Sequence, residues 1–292
     1  MTHAYLKHWN SEIPFNKALY HSFSHKAMHT QFEIWIHHKD RQYAAQAAHE
    51  AFMLVDALEN SFSKFIPNSD ISRINKAEKD QTIHVDESTF ACLQKSMAMY
   101  NQTGKAFDIS LGTGLGQLYL DEVYGMITKG KKNIKLDLGG IGKGSAVDGM
   151  VDLLKDWDIE SALVHGGASS VSAYGQTAHE LGWPITLSNP WMEEETLYYL
   201  DMMNISIGSS GLLKGLHIIK PDVGEPIQEN RAVWVSGPDA ITTDALSTTF
   251  MILTLDEIRS FTKGNQDIDA LVLTKINDDG AIAIHPFGKW PI

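Results

Sequence analysis

Cysteine is all but missing from this 292-residue chain, which has Cys92 alone. One thiol forms no intramolecular disulfide and no multi-cysteine zinc or iron–sulfur centre. Its setting, Phe90-Ala91-Cys92-Leu93, reads as a buried helical thiol. Long apolar runs are missing too. No stretch reaches the roughly 18 apolar residues that a membrane-spanning helix needs, and the first 25 residues carry no apolar segment of the kind that makes a secretory signal. As written, the chain reads as soluble and cytoplasmic, and a chain trimmed of an export leader would read the same. Positive charge is scarce: 24 Lys and Arg face 36 Asp and Glu, a net charge of -12. Duplex nucleic acid is therefore excluded as a partner, because gripping phosphate backbones takes clustered Lys and Arg. The densest basic run, Lys129-Gly130-Lys131-Lys132, reads as a solvated loop. No Pro/Gly/Ser-rich linker, repeat or low-complexity tract divides the chain.

What is present is ample apolar content, 43% of residues, with 21% charged, enough for one compact globular unit. Alternation over Thr30–Ile36 predicts a strand, and apolar residues at helical spacing predict a helix over Arg41–Phe62. Further helices are expected over Glu87–Tyr100 with Asp86 as N-cap, Ser145–Trp157, Asp239–Leu253 and Leu255–Thr262. Strands are expected over Ile134–Leu138, Ser161–Val164, Trp183–Leu187, Thr196–Leu200, Ile205–Ile207, Leu216–Ile219, Ala232–Val235, Ala270–Leu273 and Ala281–Ile284. The irregular succession of helices and strands points to α+β and away from a doubly wound sheet.

Three constellations could carry chemistry. Gly139-Gly140-Ile141-Gly142-Lys143-Gly144, between an expected strand and helix, could bring backbone amides and a lysine to a phosphate, or be a tight turn and no more. It is neither a Walker loop nor a dinucleotide fingerprint. Asp244 and Thr248 fall four apart on a helix, one turn above the other, and offer two oxygens to a hard cation such as Mg²⁺. Equally, the segment could be a helix start capped by Thr242 or Thr243. His217, in a strand-like run ended by Pro221, could be a general base or a histidine satisfied at a strand edge.

The order of the pieces says more than any one of them. Ser69-Asp70-Ile71-Ser72-Arg73-Ile74-Asn75, Gly104-Lys105-Ala106-Phe107-Asp108, and Asp137 to Gly144 with Asp148 come first. Gly166-Gly167, Ser209-Ser210-Gly211, His217-Ile218-Ile219 with Pro221 and Gly224, and Asp244-Ala245 with Thr248 follow. This series resembles the ApbE family, from about Ala27 to about Thr254. The resemblance implies a mixed, T-fold-like α+β architecture, with residues 1–26 as an amino-terminal extension and 27–292 as the ApbE-like domain. It also implies an FAD:protein FMN transferase that uses Mg²⁺ to split FAD, release AMP and link FMN to a threonine of a partner flavoprotein. Some members hydrolyse FAD to FMN and AMP instead. By the same resemblance Asp244, Thr248 and the carbonyl of Gly142 are metal ligands, and His217 is the catalytic histidine. Ser72, Asn75, Phe107, Asp108, Lys143 and Asp148 match positions around the flavin or the phosphates.

The chain departs from the family pattern at several positions. Met28-His29-Thr30 has histidine where glycine is usual, and Ala168 stands where Gly-Gly-Asp would supply a carboxylate. Lys220, Asp222 and Val223 replace an acid, a base and a threonine after His217. Two kinds of protein fit: a working Mg²⁺-dependent enzyme acting on FAD, by transfer or by hydrolysis, and an FAD-binding protein without catalysis.

Overall fold

A computed structural model describes residues 19–177, 182–211, 218–221, 223–227, 229–276 and 281–290. In chain order the elements begin with β1 (Tyr20–Ala27), β2 (Thr30–His37), α1 (Arg41–Phe62), α2 (Asp70–Lys76), β3 (Thr82–His84), α3 (Glu87–Gln102), β4 (Leu118–Asp121) and β5 (Met126–Lys129). Then come α4 (Gly142–Asp156), β6 (Ala162–Gly166), β7 (Ser170–Tyr174), β8 (Trp183–Asn189), β9 (Met192–Met202) and β10 (Ile205–Gly211). The remainder is β11 (Ile219–Lys220), β12 (Glu225–Pro226), β13 (Arg231–Gly237), α5 (Ala240–Phe250), α6 (Leu255–Gly264), β14 (Asp269–Lys275) and β15 (Ile282–Phe287).

An antiparallel sheet in the order β1-β2-β6-β7-β10-β13-β14-β15 forms the frame. Sequence shows no repeat, yet each half of the sheet has the same plan of two strands, two helices and two strands. The first half is β1, β2, α1, α4, β6, β7, and the second is β10, β13, α5, α6, β14, β15. Between α1 and α4 the chain inserts α2, α3 and the small sheet β3-β5-β4. One face of the frame takes the helices, with Phe32, Ile34, Val164, Val233 and Val272 packed among residues of α1, α4 and α5. The hairpin β8-β9 covers the other face through Trp183, Ile185, Leu187 and Leu200 against Leu163, Val171, Ile207 and Leu271. Strands whose two faces are both covered carry apolar residues at nearly every position, as Ala270-Leu271-Val272-Leu273 does.

The mixed helix and sheet content agrees with the α+β expectation. Several details differ from the sequence reading, among them the start of α4, which takes in Gly142-Lys143-Gly144 ahead of the expected Ser145. Residues 20–27, largely assigned there to an extension, are β1 and pair along their length with β2. Ile134–Leu138 is buried at Ile134, Leu136 and Leu138 but belongs to no sheet. Its backbone finds partners elsewhere: Leu136 gives its N–H to the Asn75 side chain and accepts that side chain's N–H, and Asp137 donates to the carbonyl of Ile109. Lys129, read as solvated, is 1% exposed. Its ammonium donates to the carbonyls of Ile74 (3.1 Å) and Ala77 (3.0 Å) at the carboxyl end of α2, where unpaired carbonyls and the helix dipole favour a cation.

Candidate active site

The two halves of the fold meet where α4 and α5 cross the sheet. Two glycines allow the approach. A Cβ on Gly144 would lie 2.3 Å from the carbonyl oxygen of Ala240, and one on Gly208 of β10 would lie 2.2 Å from that of Thr243. Any side chain would force backbone apart at either position. Asp244, 2% exposed, thereby lies under the start of α4, and its carboxylate accepts the N–H of Gly144 at 2.9 Å. The Lys143 ammonium is 3.6 Å from the same oxygen and donates to the carbonyl of Gly139 at 3.3 Å. One turn on, Thr248 is the one partly exposed residue between Thr242 and Phe250. Its hydroxyl lies 3.3 Å from the carbonyl of Asp244 and 3.4 Å from the hydroxyl of Ser210.

The glycine loop closes over this floor. Asn75 holds the approaching chain at Leu136, and Asp137 accepts the N–H of Gly139 at 2.9 Å while binding Lys64 at 2.6 Å. At Gly140 a Cβ would come within 3.3 Å of the Thr248 hydroxyl and 3.6 Å of the Phe107 ring, so the loop, Thr248 and Phe107 share one corner. Gly142 has only ordinary contact distances, 3.6 Å, around an added Cβ.

Helix α5 is held from outside. Asp239 is its N-cap, accepting from Thr242, so neither Thr242 nor Thr243 caps it. Asp148 of α4 takes the N–H groups of Ala240 at 2.7 Å and Ile241 at 2.8 Å. Burial pushes the Asp148 carboxyl up to about 6, against the opposing pull of those two N–H donors. At the other end Arg231 donates to the carbonyls of Phe250 and Leu253.

Of the residues singled out from sequence, Lys143, Asp244, Thr248 and Phe107 thus gather around one floor, and Gly142, next to Lys143 in the first turn of α4, faces Leu138 and Phe62. Ser72, Asn75, Asp108 and Asp148 bind the protein's own backbone: Ser72 donates to Lys64 at 3.0 Å and Asp108 accepts from Ser110 and Gly112. His217 and Asp222 lie outside the described residues. Their neighbour Pro221 packs on the Asp108 loop, its carbonyl oxygen 2.2 Å from where a Gly112 Cβ would be. His29 is exposed in the tight β1-β2 turn, with φ +56°, and meets Phe65 edge to face. Ala168 is exposed in the β6-β7 turn, and Lys220 faces Glu225 across β11-β12. Residue-level reading missed Ser247. A serine among the threonines of α5 was the signal available.

Cys92 is buried, and burial pushes its thiol up to about 12, so it is no nucleophile. Among the described residues no three His, Cys, Asp or Glu side chains group as metal ligands. The floor instead offers one carboxylate and several neutral oxygens. That set suits a hard cation that shares its shell with phosphate oxygens, and the ammonium drawn to Asp244 marks the place as one that favours positive charge.

The model of the ApbE family matches residues 28–118 and 112–272. An FAD:protein FMN transferase of Klebsiella pneumoniae is 24% identical over 270 residues, covering 79% of this chain and 83% of that protein. One from Escherichia coli is 22% identical over 295 residues, covering 87% and 84%. Among solved structures, the flavin transferase ApbE from Vibrio cholerae superposes with a TM-score of 0.80 at 20% identity, over 92% of this chain and 97% of that one. The Pseudomonas stutzeri flavinyl transferase ApbE, in its apo form, gives 0.82 at 19% identity, over 92% and 94%.

Proposed function

The chain belongs to the ApbE family, and from that premise we propose that it is an FAD:protein FMN transferase, splitting FAD, releasing AMP and attaching FMN to a threonine of a partner flavoprotein. The observation that carries this reading is the meeting of Lys143, in the glycine loop, with Asp244 and Thr248 beneath it, roughly a hundred residues further along the chain. Relatives named for the same activity support it.

Asp244 and Thr248, with the carbonyl of Gly142, are the proposed holders of Mg²⁺. When bound, the cation would neutralise charge on the pyrophosphate oxygens. Lys143, steadied by Asp244 and the Gly139 carbonyl, offers a second positive charge to the same phosphates. The amino end of α4 adds the favourable end of its dipole. Phe107, buried beside Gly140, and the exposed pair Phe65 and His29 are the proposed aromatic contacts for a planar ring. His217 is the proposed acceptor of the proton from the incoming hydroxyl, on its place in the motif order.

Incubation of the purified protein with FAD, with and without Mg²⁺ and with a flavoprotein acceptor, tests the reading by chromatography of AMP and FMN. Metal-dependent AMP release with FMN retained on the acceptor is the expected result, and Asp244→Ala should lower the rate by at least on the order of a hundredfold. Equal AMP and free FMN would make the protein an FAD pyrophosphatase. FAD binding with no AMP would favour the binding protein that Ala168, His29 and Lys220 suggest. Ala168 leaves the β6-β7 turn without the usual carboxylate.

A further inference from the structure

We infer that the hydroxyl oxygen of Ser210 is a further protein ligand for the divalent cation, held in that role by Ser247. The inference rests on the proposed cation site at Asp244 and Thr248 and extends it to β10, the strand on which Gly208 allows closest approach to α5.

The argument is an accounting of protons. Each hydroxyl has one proton to give and two lone pairs. Ser247 is 0% exposed, and its oxygen lies 2.9 Å from the carbonyl of Asp244 and 2.9 Å from the Ser210 hydroxyl. Both short contacts are satisfied together only when Ser247 donates to the carbonyl and Ser210 donates to Ser247. Thr248 donates to the carbonyl of Asp244 at 3.3 Å. Ser210 then turns only lone pairs toward Thr248, 3.4 Å away, and the single Thr248 proton serves either the Asp244 carbonyl at 3.3 Å or Ser210. The opposite chain, from Ser247 through Ser210 to Thr248, would exchange a 2.9 Å bond for that contact of 3.4 Å. Such a separation is wide for an O–H···O bond, usually about 2.7–2.8 Å. Adjacent oxygens on an octahedral Mg²⁺ with bonds of 2.0–2.1 Å lie about 3 Å apart, so the pair would close by a few tenths of an ångström to share the ion.

With the Thr248 proton on the Asp244 carbonyl, the two hydroxyl oxygens present lone pairs that a cation between them can share. Both residues are partly exposed, while Ser247 beside them is sealed, so the pair is open to solvent and its orienter is not. Asp244 supplies the charge, and Ser247 aims the lone pairs by occupying the Ser210 proton.

Mn²⁺, counted as free ion by its electron paramagnetic resonance signal, is the probe. Wild type, Ser210→Ala, Ser247→Ala, the double variant, Ser210→Thr and Asp244→Ala are titrated without FAD, each checked by circular dichroism. Ser210→Ala should raise Kd roughly tenfold and Ser247→Ala several-fold. The double variant should match Ser210→Ala, since Ser247 acts through Ser210, and Ser210→Thr should keep the affinity. Should Ser210→Ala fail to fold, Ser247→Ala carries the test. Ser210→Ala and Ser247→Ala both within twofold of wild type, while Asp244→Ala loses the metal, overturns the role of Ser210 and leaves the cation site standing. Mn²⁺ binding unchanged in Asp244→Ala, or absent from wild type, overturns the cation site and this inference with it.

Discussion

Asp148 shows how one side chain can brace a candidate site through backbone. Both of its oxygens take backbone N–H groups at the start of α5, the helix that carries Asp244 and Thr248. Those bonds do not offset the loss of water, and the carboxyl is pushed up to about 6 from an ordinary 3.8. The folded protein therefore holds this proton more tightly than the unfolded chain. Stability from this group is fully present below about pH 4 and is lost as pH rises through about 6. Each tenfold gain in proton affinity is worth about 1.4 kcal/mol, so the loss is on the order of 3 kcal/mol. Urea unfolding of wild type and Asp148→Asn between pH 4 and pH 7.5 checks the sign. The stability of wild type relative to the variant should fall as pH rises, and a difference that is flat or grows with pH would remove the assignment.

Between elements, the close crossing of α4 on α5 sets the geometry of the floor, and it distinguishes two neighbouring glycines of α4. Gly144 meets backbone atoms at 2.3 Å, whereas Gly142 meets side chains at 3.6 Å. Gly144→Ala should push α5 away, cost about 1–3 kcal/mol or more, and weaken metal binding along with Tm. Gly142→Ala should leave Tm within a degree or two, because a methyl fits and alanine favours helix. Thermal unfolding of both variants checks the contrast, and equal losses would show that the crossing is not the constraint. The helices themselves were plain in the sequence. Expected over Arg41–Phe62, α1 runs over those residues, with Ala44, Ala47, Ala51 and Val55 buried at the spacing that predicted it. Short or irregular pieces were not plain. Helix α2 has seven residues and is held by Ser69, Lys129 and Asn75, none of which leaves a periodic trace. Strand β7 is Ser170-Val171-Ser172-Ala173-Tyr174, too small and polar to signal burial on both faces, and all five residues are buried. Ile134–Leu138 has a strand's composition, but side chains and loops supply its hydrogen bonds, and those partners are remote in sequence.

At the scale of the whole molecule, the site belongs to neither half alone. Gly142, Lys143 and Gly144 come from the first β-β-α-α-β-β unit, Ser210, Asp244 and Thr248 from the second, and Phe107 and the Asn75 clamp from the insert. Sequence could supply the residue types, since each motif is local. It could not supply their meeting, which depends on the β7-β10 pairing that joins the halves and on a sheet order no single-sequence pattern encodes. A ligand bound across that junction must stabilise both halves together. Saturation with FAD and Mg²⁺ at about a hundred times Kd should add about 2.7 kcal/mol, a rise in Tm of roughly 4–5 °C for a chain of this size. Scanning calorimetry should show the whole transition moving upward as one. In Asp244→Ala the Mg²⁺-dependent part of that rise should vanish, because the variant keeps the fold and loses the carboxylate under the glycine loop. Two transitions, with only one shifted by the ligand, would mean that the halves unfold independently and that the site lies within one of them.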